Sequence, residues 1–289
     1  MFITWSKFEV NTDLFYHEFS GGKGSVTSIN DGDFILESDM LNGDKSVFFS
    51  GKSVSTSINA FLVKINQELI LVDVGAGRAC GQNAGKTLQN LNALGVNAAD
   101  INKILLTHLH TDHVMGLVDS SGKAIFGNAI LYVPEKELRV HLDTDGLTEE
   151  TNAIRSYYKN TLDLLNFALS PYIAKNVVRS IPASELNING LTSIPTPGHT
   201  PGHTSYLFEF GEEKLLVWGD IVHASSLQFQ FPEITVQFDA DAQLAQEARV
   251  KIFEKAASEK WMVAGAHLPF PGIGYLQYHE QNFSWRPLH

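Results

Sequence analysis

The chain has 289 residues, a length that suffices for one large α/β domain or two small ones. Hydrophobic residues make up 44% and charged residues 18%, as expected for a globular protein with a sizeable core. The net charge of −11 argues against nucleic acid and an anionic membrane surface as partners, because both need a basic face.

Cys80 is the only cysteine, so neither an internal disulfide nor a thiolate zinc site is expected. The first residues contain no apolar run that resembles a signal peptide, and no segment is apolar enough for a membrane span. We therefore expect a cytoplasmic protein. In the absence of repeats and low-complexity linkers, we expect a single domain over 1–289, with 1–56 as a strand and loop extension packed on it.

The first half of the chain alternates short apolar strands with one helix. The predicted strands, in chain order, are 25–29, 34–37, 58–65, 68–74, 103–107 and 129–133. Leu88, Leu91 and Leu94 share one face of a helix predicted over 86–94, which ends at Gly95. The strand at 103–107 is of the buried type, and α/β sheets usually place their sites at the carboxyl ends of such strands.

The second half begins with a long helix, predicted over 148–169 from the spacing of its apolar residues. Strands are predicted at 191–194, 204–210, 214–218 and 261–264, with a second helix over 241–258. Strands cluster early in each half and helices follow them. This order indicates a layered α/β sandwich rather than a barrel of regular βα units.

Three histidines and an aspartate fall within the segment HLHTDH (108–113), directly after the strand at 103–107. His108 and His110 are two residues apart, which on a strand end means the same face, so both imidazoles can address one ion. Asp112 and His113 follow at the turn into a predicted helix and point elsewhere, toward a second ion. The alternative is a histidine-rich turn with ordinary hydrogen bonds.

The segment TPGHTPGH (196–203) repeats a Pro-Gly turn and carries two more histidines. Either His199 or His203 could complete the ligands of the first ion. We favour His203, because it leads directly into the strand at 204–210 and its position is better fixed. His199 is then a turn residue or a neighbour of the ligands.

Two further candidates follow later strands. Asp220 ends the segment LLVWGD and is placed to bridge two cations, with a helix N-cap as the alternative. His267 lies in AGAHLPFPG after the strand at 261–264, with a satisfied loop histidine as the alternative. Imidazole and carboxylate ligands suit Zn²⁺ and neighbouring divalent ions.

These motifs, in this order and together with VDVGAG at 72–77, resemble the metallo-β-lactamase superfamily over about residues 55–270. The resemblance implies a four-layer αβ/βα sandwich with two divalent metal ions, most often Zn²⁺, with iron, manganese or cobalt as alternatives. By analogy, Asp73 orients ligands without binding metal, and a hydroxide bridges the ions. The implied ligands are His108, His110 and His203 for one ion, Asp112, His113 and His267 for the other, and Asp220 as the bridge.

Within the superfamily, His110 stands where the oxygen-reducing diiron branch has glutamate, and Asp220 is a bridging carboxylate that true β-lactamases lack. The segments 227–256 and 266–274, and less strongly 57–77, are similar to the methyl parathion hydrolase group. That group contains organophosphate hydrolases and relatives that act on lactones and aryl esters.

The expected substrate pocket departs from the organophosphate pattern. Cys80 and His141 align where those enzymes have bulky aromatic residues, and Tyr157 or Tyr158 aligns with a third such place. Lost aromatic area weakens binding of an apolar leaving group. These positions therefore favour a lactone or an ester over a phosphotriester.

Two further segments are candidates for the pocket. His223 follows Asp220 by three residues and could donate to a developing oxyanion, as a tyrosine near that place does in acyl-homoserine lactonases; a structural role is the alternative. Leu227, Phe229 and Phe231 alternate with glutamines and would share one face of a strand. That face would be either a pocket wall or core.

We therefore expect a binuclear metal hydrolase in which the bridging hydroxide opens lactones or cleaves carboxylic (aryl) esters, with promiscuous organophosphate triesterase activity. Asp112 would take the proton released in the attack. The alternatives are a dedicated phosphotriesterase, an iron-dependent redox enzyme similar to persulfide dioxygenases, and a non-catalytic metal-binding module. The expected partners are a small ester or lactone and a second copy of the chain, with apolar segments in 157–173 as the dimer interface.

Overall fold

The computed structural model describes residues 14–47, 53–139, 149–188, 190–279 and 282–288. Its first sheet has seven strands in the order β1-β2-β4-β5-β6-β7-β8, in which β5 to β8 run parallel to one another. Their bounds are β1 Leu14–Glu18, β2 Gly24–Glu37, β4 Ser53–Ile65, β5 Glu68–Val72, β6 Lys103–Leu105, β7 Ile130–Pro134 and β8 Val178–Ile181.

The second sheet also has seven strands, in the order β16-β15-β14-β12-β11-β10-β9. Their bounds are β9 Leu186–Ile188, β10 Leu191–Pro195, β11 Thr204–Phe210, β12 Glu213–Val217, β14 Met262–Ala264, β15 Ile273–His279 and β16 Asn282–Pro287. A separate antiparallel pair joins β3 (Leu41–Asn42) to β13 (Thr235–Val236). The strands predicted at 58–65, 191–194, 204–210, 214–218 and 261–264 all lie in these sheets, with ends that shift by a few residues.

Seven α-helices lie within the described part of the chain, and several are a single turn. They are α1 Thr87–Ala93, α2 Thr111–Val114, α3 Glu135–Leu138, α4 Glu149–Tyr157, α5 Leu162–Ala174, α6 Ser225–Gln228 and α7 Ala242–Ser258. Among the described residues, none of the helices combines the length and the apolarity that a membrane span requires.

Side chains on alternate faces of the strands sort the core into layers. On the first sheet, Leu71 and Ile104 pack with Leu165 of α5 on one face, whereas Val72 and Leu105 face the second sheet. On the second sheet, one face meets the first sheet and the other packs against α7. The order helix, sheet, sheet, helix confirms the predicted α/β sandwich of metallo-β-lactamase type.

The predicted strands 25–29 and 34–37 are one continuous strand, β2, which pairs with β4 along its whole length. A register shift between Asn30 and Gly32 interrupts the pairing. At this bulge the buried Asp31 carboxylate accepts hydrogen bonds from the backbone nitrogens of Ala76, Gly85 and Thr87. Residues 14–37 thus supply β1, at the edge of the first sheet, and β2, between β1 and β4; the assignment of 1–289 to one domain stays a prediction.

The single helix predicted over 148–169 is wrong, because the chain forms α4 and α5 with a turn between them. Tyr158 lies at the break and is fully buried, and its hydroxyl donates to Glu137. Asn160 and Thr161, which follow, are weak helix formers. The apolar spacing favours one continuous helix, but the contact of Tyr158 with Glu137 and the weak helix formers after it favour a break.

The strand predicted through Leu227, Phe229 and Phe231 is also wrong. Residues 225–228 form α6, and Leu227 and Phe229 are buried in different parts of the core. Phe229 stacks on Trp285 at a centroid distance of 5.6 Å and on Phe253 at 5.3 Å. Phe229 is therefore a core residue and does not line a substrate pocket.

Candidate metal centre

The chemistry-bearing segments meet where strands of both sheets end. HLHTDH follows β6, Asp220 follows β12 and His267 follows β14, while the TPGHTPGH turn joins β10 to β11. Main-chain hydrogen bonds tie these ends together, from Thr204 N to Thr107 O at 2.9 Å and from Ala266 N to Gly219 O at 3.2 Å. Residues up to 160 positions apart in the chain are thereby brought into one cluster at the edge of the sandwich.

One group of potential ligand atoms comprises His108, His110, His199 and Asp220, all within 4.8 Å of one another. His199 Nε2 lies 3.0 Å from His110 Nδ1 and 3.2 Å from Asp220 Oδ2. His108 Nε2 lies 3.6 Å from the same carboxylate oxygen. Three imidazoles and one carboxylate therefore converge on a volume that fits a single cation.

A second group comprises Asp112, His113 and His267. Asp112 Oδ2 lies 3.5 Å from both His113 Nε2 and His267 Nε2. Asp220 reaches this group as well, with Oδ1 at 3.2 Å from His113 Nε2 and Oδ2 at 3.0 Å from His267 Nε2. The carboxylate of Asp220 thus lies between the two groups, as a residue that bridges two ions must.

Each of the five histidines in these groups turns its outer ring nitrogen toward a fixed partner. The contacts are His108 Nδ1 with Thr107 Oγ1 at 3.0 Å, His110 Nε2 with Tyr157 Oη at 2.7 Å, His113 Nδ1 with Asp73 Oδ2 at 2.9 Å, His199 Nδ1 with Asp239 Oδ1 at 2.8 Å, and His267 Nδ1 with Ser57 O at 2.9 Å.

The nature of these partners determines which ring nitrogen carries the hydrogen. Carboxylates and main-chain carbonyls can only accept. The Thr107 hydroxyl donates to Asp73 at 2.9 Å and the Tyr157 hydroxyl to the Phe238 carbonyl at 2.8 Å, so both accept from their histidines. In its neutral form, each ring therefore carries its hydrogen on the outer nitrogen and turns the lone pair of the inner nitrogen toward the cluster, as metal-binding histidines do.

Buried polar atoms without a partner give an independent test of whether metal ions fit. Among the described residues, His108 Nε2, His113 Nε2 and Asp220 Oδ1 are buried and make no hydrogen bond. Leaving three such atoms unsatisfied would be costly. Because all three point into the cluster, a pair of cations satisfies them together.

Burial and neighbouring charges set the protonation states. Burial lowers the pKa of both His108 and His110 well below the ordinary value, so these rings are neutral at pH 7. Burial would raise the pKa of Asp220, but His113 and His267 outweigh it and hold that pKa well below the usual range. Burial would lower the pKa of His113, His199 and His267 as well, but the neighbouring carboxylates outweigh it and raise the pKa of all three, that of His199 to about 9. Because neutral imidazole and ionised carboxylate are the forms that bind metal, these three rings must release a proton when a cation binds.

The expected preference for His203 over His199 is not what the structure shows. Both ring nitrogens of His203 are used: Nε2 accepts from the backbone nitrogen of Asp220 at 3.0 Å, and Nδ1 contacts Thr196 Oγ1 at 2.8 Å. Gly219, at φ 61°, lies so close that a Cβ there would be 2.6 Å from His203 Nε2. His203 thus supports the main chain beside Asp220, and it is His199 that lies in the first group of potential ligands.

His223 lies at the cluster and forms a third group of potential ligand atoms with Asp220 and His267, so its role toward the substrate stays a prediction. Its Nε2 is 3.1 Å from Asp220 Oδ2, and its ring stacks on His267 at a centroid distance of 5.0 Å. Burial lowers the pKa of His223 to about 4, so the ring is neutral at pH 7. Its backbone nitrogen donates to Gln228 Oε1 at 2.7 Å, which fixes the start of the loop.

The structure places the predicted pocket residues in different surroundings. Tyr158 is buried in the core, and Tyr157 contacts the ligand His110 rather than an open groove. Cys80 is half-buried; burial, with Asp112 and Asp31, raises the pKa of its thiol to about 11. His141 lies outside the described residues. A pocket role for Cys80 and His141 stays a prediction.

Sequence reasoning missed several residues that contact the cluster. Asp239 holds His199, and Glu137 bonds to the loops that carry His108, His110 and His199. Phe34 meets the ring of His267 edge-on at 4.9 Å. The local sequence offered a signal for Asp239 alone among these residues, in the segment FDAD (238–241), where two aspartates directly precede α7.

Comparison with known proteins agrees with this geometry. The family model of the metallo-beta-lactamase superfamily matches residues 55–267. A probable metallo-hydrolase of Mycobacterium bovis is 25% identical over 191 residues, which cover 60% of this chain and 59% of that protein. Lactamase-like protein adaB of Aspergillus niger is 30% identical over 174 residues, covering 60% of this chain and 41% of that protein. The matched region thus spans three fifths or less of these curated relatives.

Solved structures match over nearly the whole chain. The hydrolase AbOPH in the beta lactamase superfamily is 35% identical with a TM-score of 0.84, covering 95% of this chain and 97% of that one. AidC, a dizinc quorum-quenching lactonase in complex with a product, N-hexanoyl-L-homoserine, is 24% identical with a TM-score of 0.79, covering 96% and 99%. With its sandwich, its His/Asp groups and a family match over most of its length, this chain belongs to the metallo-β-lactamase superfamily.

Proposed function

We propose that this protein is a binuclear metal-dependent hydrolase that opens lactones or cleaves carboxylic (aryl) esters. The observation that carries the proposal is the position of Asp220, whose two carboxylate oxygens lie between two groups of inward-facing imidazole nitrogens. Membership of the group that contains methyl parathion hydrolase and related lactonases is part of the same proposal.

The ligand set fits two ions of borderline softness, and we propose Zn²⁺ for both. Such a pair, when bound, supplies a water of lowered pKa as nucleophile and polarises the carbonyl of the substrate. His108, His110 and His199 would hold one ion, and Asp112, His113 and His267 the other, with Asp220 shared. This set keeps six of the seven ligands inferred from the sequence and replaces His203 with His199.

Asp112 and His223 are the candidates for proton handling. The side chain of Asp112 is 20% exposed whereas that of Asp220 is 1% exposed, so Asp112 can reach both the cluster and the solvent. Burial raises the pKa of Asp112, but His113 and His267 lower it further, so the carboxylate is ionised and able to accept a proton. His223, neutral at pH 7, can donate from Nε2 to an oxygen that gains negative charge.

Aromatic side chains beside the cluster favour a substrate with an apolar acyl or aryl group. Phe34 packs edge-on to His267, and Phe238 packs edge-on to His223 at a centroid distance of 5.2 Å. Both are partly buried and adjoin a small apolar cluster that includes Leu36, Leu227 and Ile234. An apolar chain placed on these rings brings its carbonyl next to the metal ligands. The likeness to AidC supports the fold alone. The choice of a lactone or an ester as substrate therefore rests on the aromatic rings of Phe34 and Phe238.

The test combines metal analysis with a substrate panel. We expect purified protein to hold two divalent ions per chain and to hydrolyse an acyl-homoserine lactone, dihydrocoumarin or an aryl ester faster than methyl parathion. Removal of the ions should abolish turnover, and Zn²⁺ should restore it. Asp220→Ala should lose both activity and metal, whereas Asp163→Asn, at an exposed aspartate in the first turn of α5, serves as the aspartate control.

Four results would contradict the proposal in different ways. Full esterase activity in metal-depleted protein would exclude metal-dependent hydrolysis. Methyl parathion as the best substrate would indicate a dedicated phosphotriesterase. Iron in the purified protein together with oxygen consumption would indicate a redox enzyme. Two tightly bound ions without turnover on any substrate would indicate a non-catalytic metal-binding module.

A further inference from the structure

Glu137 is a fully buried carboxylate on α3 whose side chain does not belong to either ligand group. Its Oε1 accepts hydrogen bonds from Thr200 Oγ1 at 2.8 Å and from Gly202 N at 2.6 Å. Its Oε2 accepts from Leu109 N at 3.1 Å and from the Tyr158 hydroxyl. Four donors match the four lone-pair positions that an ionised carboxylate offers.

Three of these four donors come from the two segments that supply the histidines of the first ligand group. Leu109 lies between His108 and His110, and Thr200 directly follows His199. One carboxylate thus joins the HLHTDH loop to the TPGHTPGH turn. The second ligand group shares the HLHTDH loop through Asp112 and His113, and there the ring of His113 is held by Asp73.

The approach of the turn to Glu137 is close enough to restrict the sequence. A Cβ on Gly202 would lie 2.7 Å from Glu137 Oε1 and 2.8 Å from its backbone nitrogen, so only glycine fits there without a shift. Tyr158, the fourth donor, is adjacent to Tyr157, which contacts the outer nitrogen of His110. The carboxylate therefore controls the turn and the support of His110 together.

A buried carboxylate is costly unless hydrogen bonds compensate for its lost hydration. Burial raises the pKa of Glu137, whereas its donors act in the opposite direction. Groups that orient metal ligands typically change metal affinity about 10–100-fold when removed. A glutamate that spans both loops is suited to set the separation between the His108 and His110 pair and His199.

We propose that Glu137 is a positioning residue for the first ion only: it locks His108, His110 and His199 at the spacing that binds this ion, and it leaves the second ion unaffected. This inference rests on the proposed binuclear centre. It concerns the geometry of the ligands and requires no contact of Glu137 with either ion or with substrate.

The experiment titrates Zn²⁺ into metal-depleted protein in the presence of a competing chelator. In Glu137→Gln, which keeps the size of the side chain but removes its charge, we expect affinity at one of two sites to fall about 10–100-fold. The matched control is Glu135→Gln on the same helix, where the side chain is 45% exposed and pairs with Arg139. This control should bind both ions as the unmodified protein does.

The affected site is identified in a His199→Ala background. If Glu137 acts on the first ion, Glu137→Gln should add no further loss to the one site that remains. A further loss at that site, or equal losses at both sites in the single variant, would overturn the proposal. So would unchanged affinities in Glu137→Gln.

If Glu137→Gln fails to fold, Thr200→Val removes a single donor at nearly constant volume and decides the question by the same titration. Weaker binding of the first ion supports the proposal, and unchanged binding overturns it. Failure of the unmodified protein to bind two ions would instead refute the proposed function. The two failures are therefore distinguishable.

Discussion

At the scale of single residues, the tautomer of each histidine decides whether it can be a ligand. His199 and His203 have the same spacing from a Pro-Gly turn, yet their outer partners differ. Asp239 accepts from His199 Nδ1, and His199 Nε2 faces His110 Nδ1 at 3.0 Å and Asp220 Oδ2 at 3.2 Å inside the cluster. The backbone N–H of Asp220 donates to His203 Nε2, so the lone pair of that nitrogen is already used. His199 therefore lies among the potential ligands, whereas both ring nitrogens of His203 are used in supporting the main chain.

His199→Ala and His203→Ala should therefore differ in metal content. We expect His199→Ala to bind one ion rather than two, as measured by elemental analysis after dialysis. His203→Ala should retain both ions but unfold more easily, by about 1–3 kcal/mol, because it leaves the Asp220 N–H and Thr196 without a partner. Loss of an ion from His203→Ala together with full occupancy in His199→Ala would restore the assignment made from the sequence.

His223 is a second residue whose role depends on one hydrogen. Its Nε2 faces Asp220 at 3.1 Å, and a hydroxyl at the same place would also donate. We expect His223→Phe to lower kcat by about 10²-fold or more, as does loss of an oxyanion donor in other hydrolases. His223→Tyr should keep more activity, since it differs from the phenylalanine variant only by a hydroxyl.

Metal content separates this role from the alternatives. Both variants should still bind two ions if His223 only donates to the substrate. Loss of an ion in either variant would make His223 a ligand, in line with its position near Asp220 and His267. Equal activity of the phenylalanine and tyrosine variants would show that the hydroxyl, and hence the donor, is irrelevant.

At the scale of elements, the site depends on strand ends that are bonded to one another. Asn59, on β4, donates from its backbone to Ala266 O and from its side chain to Leu268 O at 2.8 Å, on either side of His267. Asp73, directly after β5, has φ 57° and still bonds to Thr107 and His113. The loops are thus held by the sheets, which is the rigid support that a preorganised site requires.

The part of this arrangement that could be predicted from the sequence is the part with a local cause. Short apolar runs predicted β4 and β11, and strand ends with His and Asp predicted six of the seven residues that we propose as ligands. The break between α4 and α5 could not be predicted, because it depends on Tyr158 reaching Glu137. The assignment of His199 rather than His203 as a ligand depends on Asp239, which lies 40 residues further along the chain. A pattern in the local sequence cannot predict such a distant contact.

At the scale of the whole molecule, the proposed ions would join the two sheets. The segment from His108 to His113 follows β6 of the first sheet, whereas His199, Asp220 and His267 follow strands of the second. Without cations, Asp220 Oδ1 and two imidazole nitrogens are buried without partners. The free energy of unfolding should therefore include a large contribution from metal binding, because the unfolded chain cannot assemble the ligands.

Chelation should accordingly lower the thermal stability of the protein. An ion present at a hundred times its dissociation constant stabilises the folded state by about 2.7 kcal/mol. In a chain of this size each kcal/mol corresponds to about 2–4 °C in Tm. We expect metal-depleted protein to melt several degrees lower than Zn²⁺-loaded protein by scanning calorimetry, with recovery on adding Zn²⁺.

Asp220→Ala is the matched control for this measurement, because it removes the residue shared by both ligand groups. Its Tm should change little between chelator and Zn²⁺, which excludes a general effect of either reagent. An unmodified protein whose Tm is the same with and without metal would contradict the idea that the ions hold the sheets together. A shift of equal size in both proteins would locate the metal that stabilises the fold outside the cluster around Asp220.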